Sequence, residues 1–232
     1  MNNKKISQKF DFDGLIIFEM SKNHGGDARH ALRIVRDFAD VAKKGGVRGS
    51  VKLQFRNLES YIHPDHRSGG DERMQRYFTS HLSEDDFRKV VDEIKAHNLI
   101  SMSTPFDEES VDTIDRLGVE VIKIASSSAK DWPLLERVVK SKKPIVCSTG
   151  GLKLSDIDRI VDFFTGHGAE FALLHCVGLY PTPREEGQLN RIGIMKERYK
   201  GVPIGFSTHE NPEDYDLVKM AYAKGARLFE KH

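Results

Sequence analysis

Short apolar runs alternate with longer amphipathic stretches along this chain, and the alternation recurs eight times. The runs are GLIIFEM (14–20), GSVKLQF (49–55), LISMS (99–103), EVIKIA (120–125), PIVCS (144–148), FALLHC (171–176), VPIGF (202–206) and RLFEK (227–231). Brief, continuous, β-branched runs of this kind suit parallel strands buried on both faces. Between them the period lengthens. In ARHALRIVRDFADVAKKGG, Ala31, Ile34, Val35, Phe38 and Val41 fall on one helical face, and Gly45-Gly46 ends the pattern. SEDDFRKVVDEIKAHN begins with Ser83 as N-cap and acids in its first turn. SDIDRIVDFFTGHG opens with Ser155 and Asp158 at capping-box spacing, Asp replacing the usual Glu.

Eight β units with intervening helices predict a TIM (β/α)8 barrel, with residues 1–232 forming a single domain. The alternative, a doubly wound open sheet, lacks its dinucleotide glycine fingerprint after the first strand. The long connection at 56–82 reads as an extended βα segment with some helix, in the position of a lid. Its His63 and His66, separated by Pro64, read as lid residues rather than a helical metal pair. A barrel's eighth strand is followed by a covering helix. None follows RLFEK, so the chain is expected to lack the last helix and its natural C-terminal part.

Charge narrows the partners. The chain has 36 Lys+Arg against 35 Asp+Glu, a formal charge of +1, so neither nucleic acid nor a membrane surface is expected, and any anion site must be built locally. No apolar run approaches the ~20 residues of a transmembrane helix. The opening MNNKKISQKFDFDG has no apolar core of a secretory signal. Cys147 and Cys176 sit in apolar runs and read as core thiols, which together with these absences predicts a cytoplasmic protein.

Barrel chemistry gathers where strands end. The strand exits carry Glu19, then Lys52 and Gln54, Ser103 and Thr104, Lys123 with Ser126–Ser128, and Ser148 with Thr149. His175 and Tyr180, Ser207 and His209, and Lys231 and His232 follow. A single strand-end serine is an ordinary turn former, and a single lysine ordinarily reaches solvent. Lys52 and Lys123 differ because both interrupt apolar runs, and burying two ammonium groups requires an anion or carboxylate beside them. With the nearby hydroxyls they describe a phosphate or carboxylate pocket. His209 and His232, with Glu19 on the neighbouring first strand, form a set that suits a divalent transition ion, against the plainer reading of two turn histidines in solvent. Each ring must be neutral to coordinate, which ties binding to the region near ~6.5 where free histidine protonates.

The strings FEMSKNHGGD, VKLQF, STPFD, IKIASSS, KPIVCSTGG, LLHCVGLYPTP, GFSTHE and FEKH, in this order, resemble the strand-end motifs of the sialic acid synthase (N-acetylneuraminate synthase) family. The resemblance runs from about residue 14 to 232. It implies a synthase condensing phosphoenolpyruvate with an aldose such as N-acetylmannosamine, giving a nonulosonic acid and free phosphate with Mn2+ or Mg2+ as cofactor. It further implies a homodimer in the full-length protein, completed by a C-terminal antifreeze-like domain absent here.

By the same resemblance, Lys52, Lys123, Ser126, Ser148 and Ser207 hold phosphoenolpyruvate, and His209 and His232 hold the metal. Glu19, Gln54 and Thr104 orient the aldehyde and water, and Tyr180 matches the family's tyrosine as a further catalytic residue. Ser127 and Ser128 stand where the family has Gly and an acid, Gly178 where it often has Asn, and Thr208 where it has Asp. These departures lie on the sugar side and leave the acceptor open. A catalytically silent sugar-binding or regulatory barrel and a Schiff-base aldolase are the alternatives.

Overall fold

A computed structural model describes residues 9–67 and 72–232, without the side chains of 66, 67, 72–74 and 76. Eight strands close into a barrel: β1 (Leu15–Glu19), β2 (Arg48–Phe55), β3 (Ile100–Pro105), β4 (Val121–Ile124), β5 (Ile145–Ser148), β6 (Phe171–His175), β7 (Ile204–Thr208) and β8 (Phe229–Lys231). Every neighbouring pair is parallel, and β1 also pairs with β8. All eight predicted runs are therefore strands, within a residue or two at each end for most. The connections carry α1 (Ala28–Gly45), α2 (Leu58–Tyr61), α3 (Pro64–Arg67), α4 (Glu72–Thr79), α5 (Glu84–Ala96), α6 (Glu108–Leu117), α7 (Trp132–Lys140), α8 (Leu154–Gly166), α9 (Asn190–Arg198) and α10 (Asp216–Ala223).

Helix ends follow local chemistry. Asp27 caps α1 by accepting from the amides of Arg29 and His30, and Gly46, at φ 59°, closes it in the left-handed region that glycine enters without strain. Ser83 caps α5 as expected, accepting from the Asp86 amide. Two details differ from the sequence reading. Val41 is exposed, because the buried stripe of α1 runs through Ala31, Val35, Ala39 and Ala42, one step round from the predicted face. In α8 the first turn starts earlier, so Ser155 lies inside it, and Asp156 accepts from the Lys153 amide at 3.2 Å. Between β2 and α5, Pro64 opens a four-residue helix, a position where its missing N–H costs nothing. The side chain of His66 lies outside the described residues.

The apolar residues form two bodies. Outside the barrel, Leu53, Ile122, Cys147, Leu173 and Phe206 pack beneath the helices. Inside it, Leu15, Ile17, Met102, Val121, Val146, Ala172, Leu174 and Leu228 fill the lower part, and Phe12 packs with them. Gly205 is an inward position of β7, where a β-carbon would strike the Leu228 carbonyl and come within 2.6 Å of Leu174. Its absence lets the lower layer close, and the upper layer is free to be polar.

Candidate active site

Side chains alternate along a strand, so each inward apolar residue is followed two positions later by an inward residue one layer higher. On β1 the sequence Leu15, Ile17, Glu19 ends in a carboxylate. On β4, Val121 gives way to Lys123; on β5, Val146 to Ser148; on β8, Leu228 to Glu230 and then His232. Burial is nearly complete for this upper layer: Lys52 and Lys123 are each 3% exposed and Glu230 is 2% exposed.

Glu230 is the hub. Its Oε2 accepts from Lys52 Nζ at 2.7 Å and its Oε1 from Ser207 Oγ at 2.8 Å. Lys123 Nζ lies 3.5 Å from the same Oε1, and His232 Nε2 faces it at 3.3 Å. Lys52 Nζ also pairs with Glu19 Oε2 at 2.5 Å, and Lys123 Nζ donates to Ser148 Oγ at 2.7 Å. Two ammonium groups thus meet two carboxylates, which is how a barrel interior tolerates four charges.

The geometry sets the ionisation. Burial works against the Lys52 ammonium, but Glu230 and Glu19 outweigh it and hold its pKa above the ordinary lysine value. Lys123 has only the more distant Glu230 oxygen, so burial prevails and its pKa falls. Burial opposes the Glu230 charge too, yet Lys123 and Lys52 hold its carboxyl well below the usual range. The layer is charged, desolvated and balanced.

Above it stand three rings. Tyr180 Oη lies 2.8 Å from His232 Nδ1, and its ring is tilted 4.0 Å from that of His209. The His209 and His232 rings are 4.3 Å apart. Desolvation, with help from His232, depresses the pKa of His209 to about 4. Its ring is therefore neutral well below the point at which free histidine protonates.

Glu19, Glu230 and His232 each offer a ligand atom, and these atoms lie within 4.8 Å of one another. Carboxylate oxygens with an imidazole nitrogen suit a divalent ion such as manganese. With Tyr180 on Nδ1, the His232 ring is held with Nε2 toward the two acids, the orientation an outer partner gives a metal-bound imidazole. The residues fit a metal. His209 is outside this trio, beside it rather than in it.

Of the residues singled out from sequence, Glu19, Lys52, Lys123, Ser148, Ser207, Tyr180, His209 and His232 join one contiguous cluster. Gln54 touches it, Nε2 standing 3.5 Å from Glu19 Oε1. Thr104 is buried opposite Gln54 in the β2–β3 register. Ser126 lies one step away: its Oγ accepts from the Gly150 amide at 2.9 Å and contacts Cys176 Sγ at 3.2 Å. Lys231 is turned elsewhere, donating to Glu210 at 2.8 Å in the loop after β7. Both cysteines are buried and free. The residue that sequence reasoning missed is Glu230. Its signal was available, since it is two positions from His232 and so shares that residue's face.

A model of the NeuB family matches residues 38–232. The chain is 31% identical over 241 residues to N-acetylneuraminate-9-phosphate synthase of Drosophila melanogaster, covering 99% of this chain and 62% of that protein. It is 29% identical over 225 residues to N,N'-diacetyllegionaminic acid synthase of Campylobacter jejuni, covering 94% of this chain and 66% of that one. A crystal structure of a Chromobacterium violaceum protein named for spore coat polysaccharide biosynthesis superposes with a TM-score of 0.91 at 42% identity, covering 94% of this chain and 66% of that one. The chain thus spans 62–66% of the length of these relatives.

Proposed function

The chain belongs to the NeuB family of sialic and nonulosonic acid synthases, and from that premise we propose that it is the barrel domain of a synthase joining phosphoenolpyruvate to an aldose. The observation that carries this reading is the Glu230 hub, which holds two buried ammonium groups and a serine hydroxyl on one carboxylate. In this reading residues 1–232 are one domain, the protein is cytoplasmic, and the longer protein works as a homodimer.

The donor, an anion, would lie over Lys52 and Lys123, with Ser126, Ser148 and Ser207 supplying hydroxyls to its phosphate and carboxylate. Lys123 is the better placed to change partner, since its contact with Glu230 is the longer one, 3.5 Å. The C3 carbon of phosphoenolpyruvate forms a bond to the aldehyde carbon, and the aldehyde oxygen takes a proton. Water adds at C2, the C2–O bond to phosphate breaks, and a 2-keto sugar acid and inorganic phosphate leave.

Positive charge builds at C2 along this course. Glu230, its carboxyl held well below the usual range and buried, would stabilise it electrostatically, with the Glu19 carboxyl beside it. Gln54 and Thr104, at the end of β2 and β3, would orient the aldehyde, and Tyr180 would keep His232 turned inward. Glu19, Glu230 and His232, with His209 beside them, would hold a Mn2+ or Mg2+ ion. That ion would polarise the aldehyde as a Lewis acid.

The test is release of inorganic phosphate from phosphoenolpyruvate, with Mn2+, across a panel of aldoses. Release that requires both substrates supports the reading. No release with any aldose, together with no calorimetric binding of phosphoenolpyruvate, ends it. One feature favours a Schiff-base aldolase, the lowered pKa of Lys123. Borohydride in the presence of pyruvate would then add the mass of a reduced adduct.

A further inference from the structure

Beside the barrel mouth lies a cavity of about 440 Å³, walled by Gln54, Phe55, Arg56, Tyr77, Phe87 and Arg116 among others. It shares Gln54 with the catalytic cluster and extends outward between residues 56–58, residues 77–82, α5 and α6. Its acids are committed to neighbours. Glu84 is paired with Arg116 at 2.9 Å, Asp112 with Arg137 at 2.5 Å, and Glu109 accepts from Asn57.

Arg56 is different. Its guanidinium carbon sits 3.6 Å over the Phe106 ring, 5.0 Å from that of Tyr77 and 5.6 Å from that of Tyr61. One N–H donates to Gln54 Oε1 at 3.0 Å. The Nε–H is buried with no hydrogen-bond partner, and among the described residues no carboxylate pairs with this cation. Aromatic faces hold a guanidinium in place without neutralising it. A buried donor with nothing to bond costs free energy comparable to a lost hydrogen bond, so a ligand oxygen that reaches it is favoured.

We propose that this cavity is the subsite for an anionic group at the end of the acceptor remote from its aldehyde, with Arg56 as the specificity-determining contact. The acceptor is then a sugar carrying a phosphate or carboxylate, not a neutral one. This inference rests on the synthase reading above. The relay Glu19–Gln54–Arg56 sets the geometry: the nitrogen and the oxygen of one glutamine amide, in contacts of 3.5 and 3.0 Å, separate the reacting end from the cation. An open-chain hexose lying along Gln54 brings its two ends to Glu19 and Arg56. A guanidinium recognises oxyanions through paired N–H groups, and the free Nε–H with its neighbouring N–H is such a pair.

Calorimetry with N-acetylmannosamine and N-acetylmannosamine 6-phosphate, each in the presence of Mn2+, separates the cases. The phosphorylated sugar is expected to bind the unaltered chain at least about tenfold more tightly than the neutral one, the scale of one charge-assisted pair. In Arg56→Met that advantage falls to within about threefold, and in Arg56→Lys, which keeps the charge, part of it survives. Equal binding of the two sugars to the unaltered chain overturns the proposal, as does full discrimination in a folded Arg56→Met chain. Binding of phosphoenolpyruvate without binding of either sugar also overturns it. Phosphoenolpyruvate titrated alone serves the synthase reading: loss of that binding counts against the synthase, and a failure confined to the sugars counts against this subsite only.

Discussion

The Tyr180 hydroxyl meets His232 Nδ1 at 2.8 Å, and this contact turns the opposite nitrogen of the imidazole to within 3.3 Å of Glu230. A ring that binds metal through Nε2 carries its proton on Nδ1, so Tyr180 would accept that proton's hydrogen bond. The tyrosine ring is itself 70% exposed. Tyr180→Phe is therefore expected to leave the unfolding transition nearly unchanged and to weaken Mn2+ binding about 10–100-fold. Titration of the ion against both chains checks it, and an unchanged affinity removes Tyr180 from the site.

Glu230→Gln removes the anion between two buried ammonium groups. Lys52 keeps Glu19, but Lys123 keeps no carboxylate within 4 Å among the described residues. Breaking a buried pair from one side leaves an uncompensated charge, and a loss of about 3–5 kcal/mol is expected in urea denaturation. The pH dependence has a definite sign. The folded carboxyl titrates well below its usual 4.5, so its contribution is present above that pH and is lost as pH falls toward the folded value. The acid limb of the stability curve should be shallower in the variant.

His209 gives the second pH signature. Its folded pKa of about 4 lies below the ordinary 6.5, so the unfolded chain binds the proton first. Stability from this group is complete above 6.5 and declines as pH falls from 6.5 to about 4. His209→Asn should remove that decline from the curve measured between those limits. If the ring also ligates the ion, His209→Ala costs more than about a hundredfold in Mn2+ affinity, beyond the range of an outer partner. Equal affinity would make it a structural neighbour of the Glu19, Glu230 and His232 trio.

Lys123→Met tests the anion pocket. Its ammonium holds Ser148 at 2.7 Å and is expected to exchange Glu230 for the donor's oxygens. Phosphoenolpyruvate binding should weaken by about 2–5 kcal/mol, the cost of removing one partner from a buried charge pair. Unchanged binding by calorimetry would show that the lysine serves only the interior.

The strands were legible because parallel barrel strands are buried on both faces and must be written as unbroken apolar runs. The lysines were legible for the complementary reason: a cation inside such a run has nowhere to go but inward. Glu230 escaped because its run is short and also holds Lys231, so the acid reads as one half of a surface pair. Only the inward alternation Leu228, Glu230, His232 separates them, and it sends Lys231 out to Glu210. His209 is expected as a ligand from its place after β7, and its ring stands 4.3 Å from that of His232, beside the Glu19, Glu230 and His232 trio whose ligand atoms approach within 4.8 Å. Val41 lies outside the buried face because that face runs through Ala31, Val35, Ala39 and Ala42, where small alanines share the contact with larger side chains. The orphaned Arg56 had no sequence signal, since its aromatic box comes from Tyr61 on α2, Tyr77 on α4 and Phe106 in the loop after β3.

The barrel is joined by a three-residue strand. β8 meets β1 through three residue pairs and β7 through three, whereas β2 and β3 share six. The shortest strand of the ring, which closes the seam between β7 and β1, also carries Glu230 and places His232. Whatever binds these two side chains clasps the seam, so chemistry and closure are one equilibrium. A ligand at a hundred times its dissociation constant adds about 2.7 kcal/mol to the closed ring. Amide exchange along 229–231 should slow with occupancy before it slows elsewhere, and a substitution that loosens β8 should act as a competitive inhibitor does, by emptying the site without touching it.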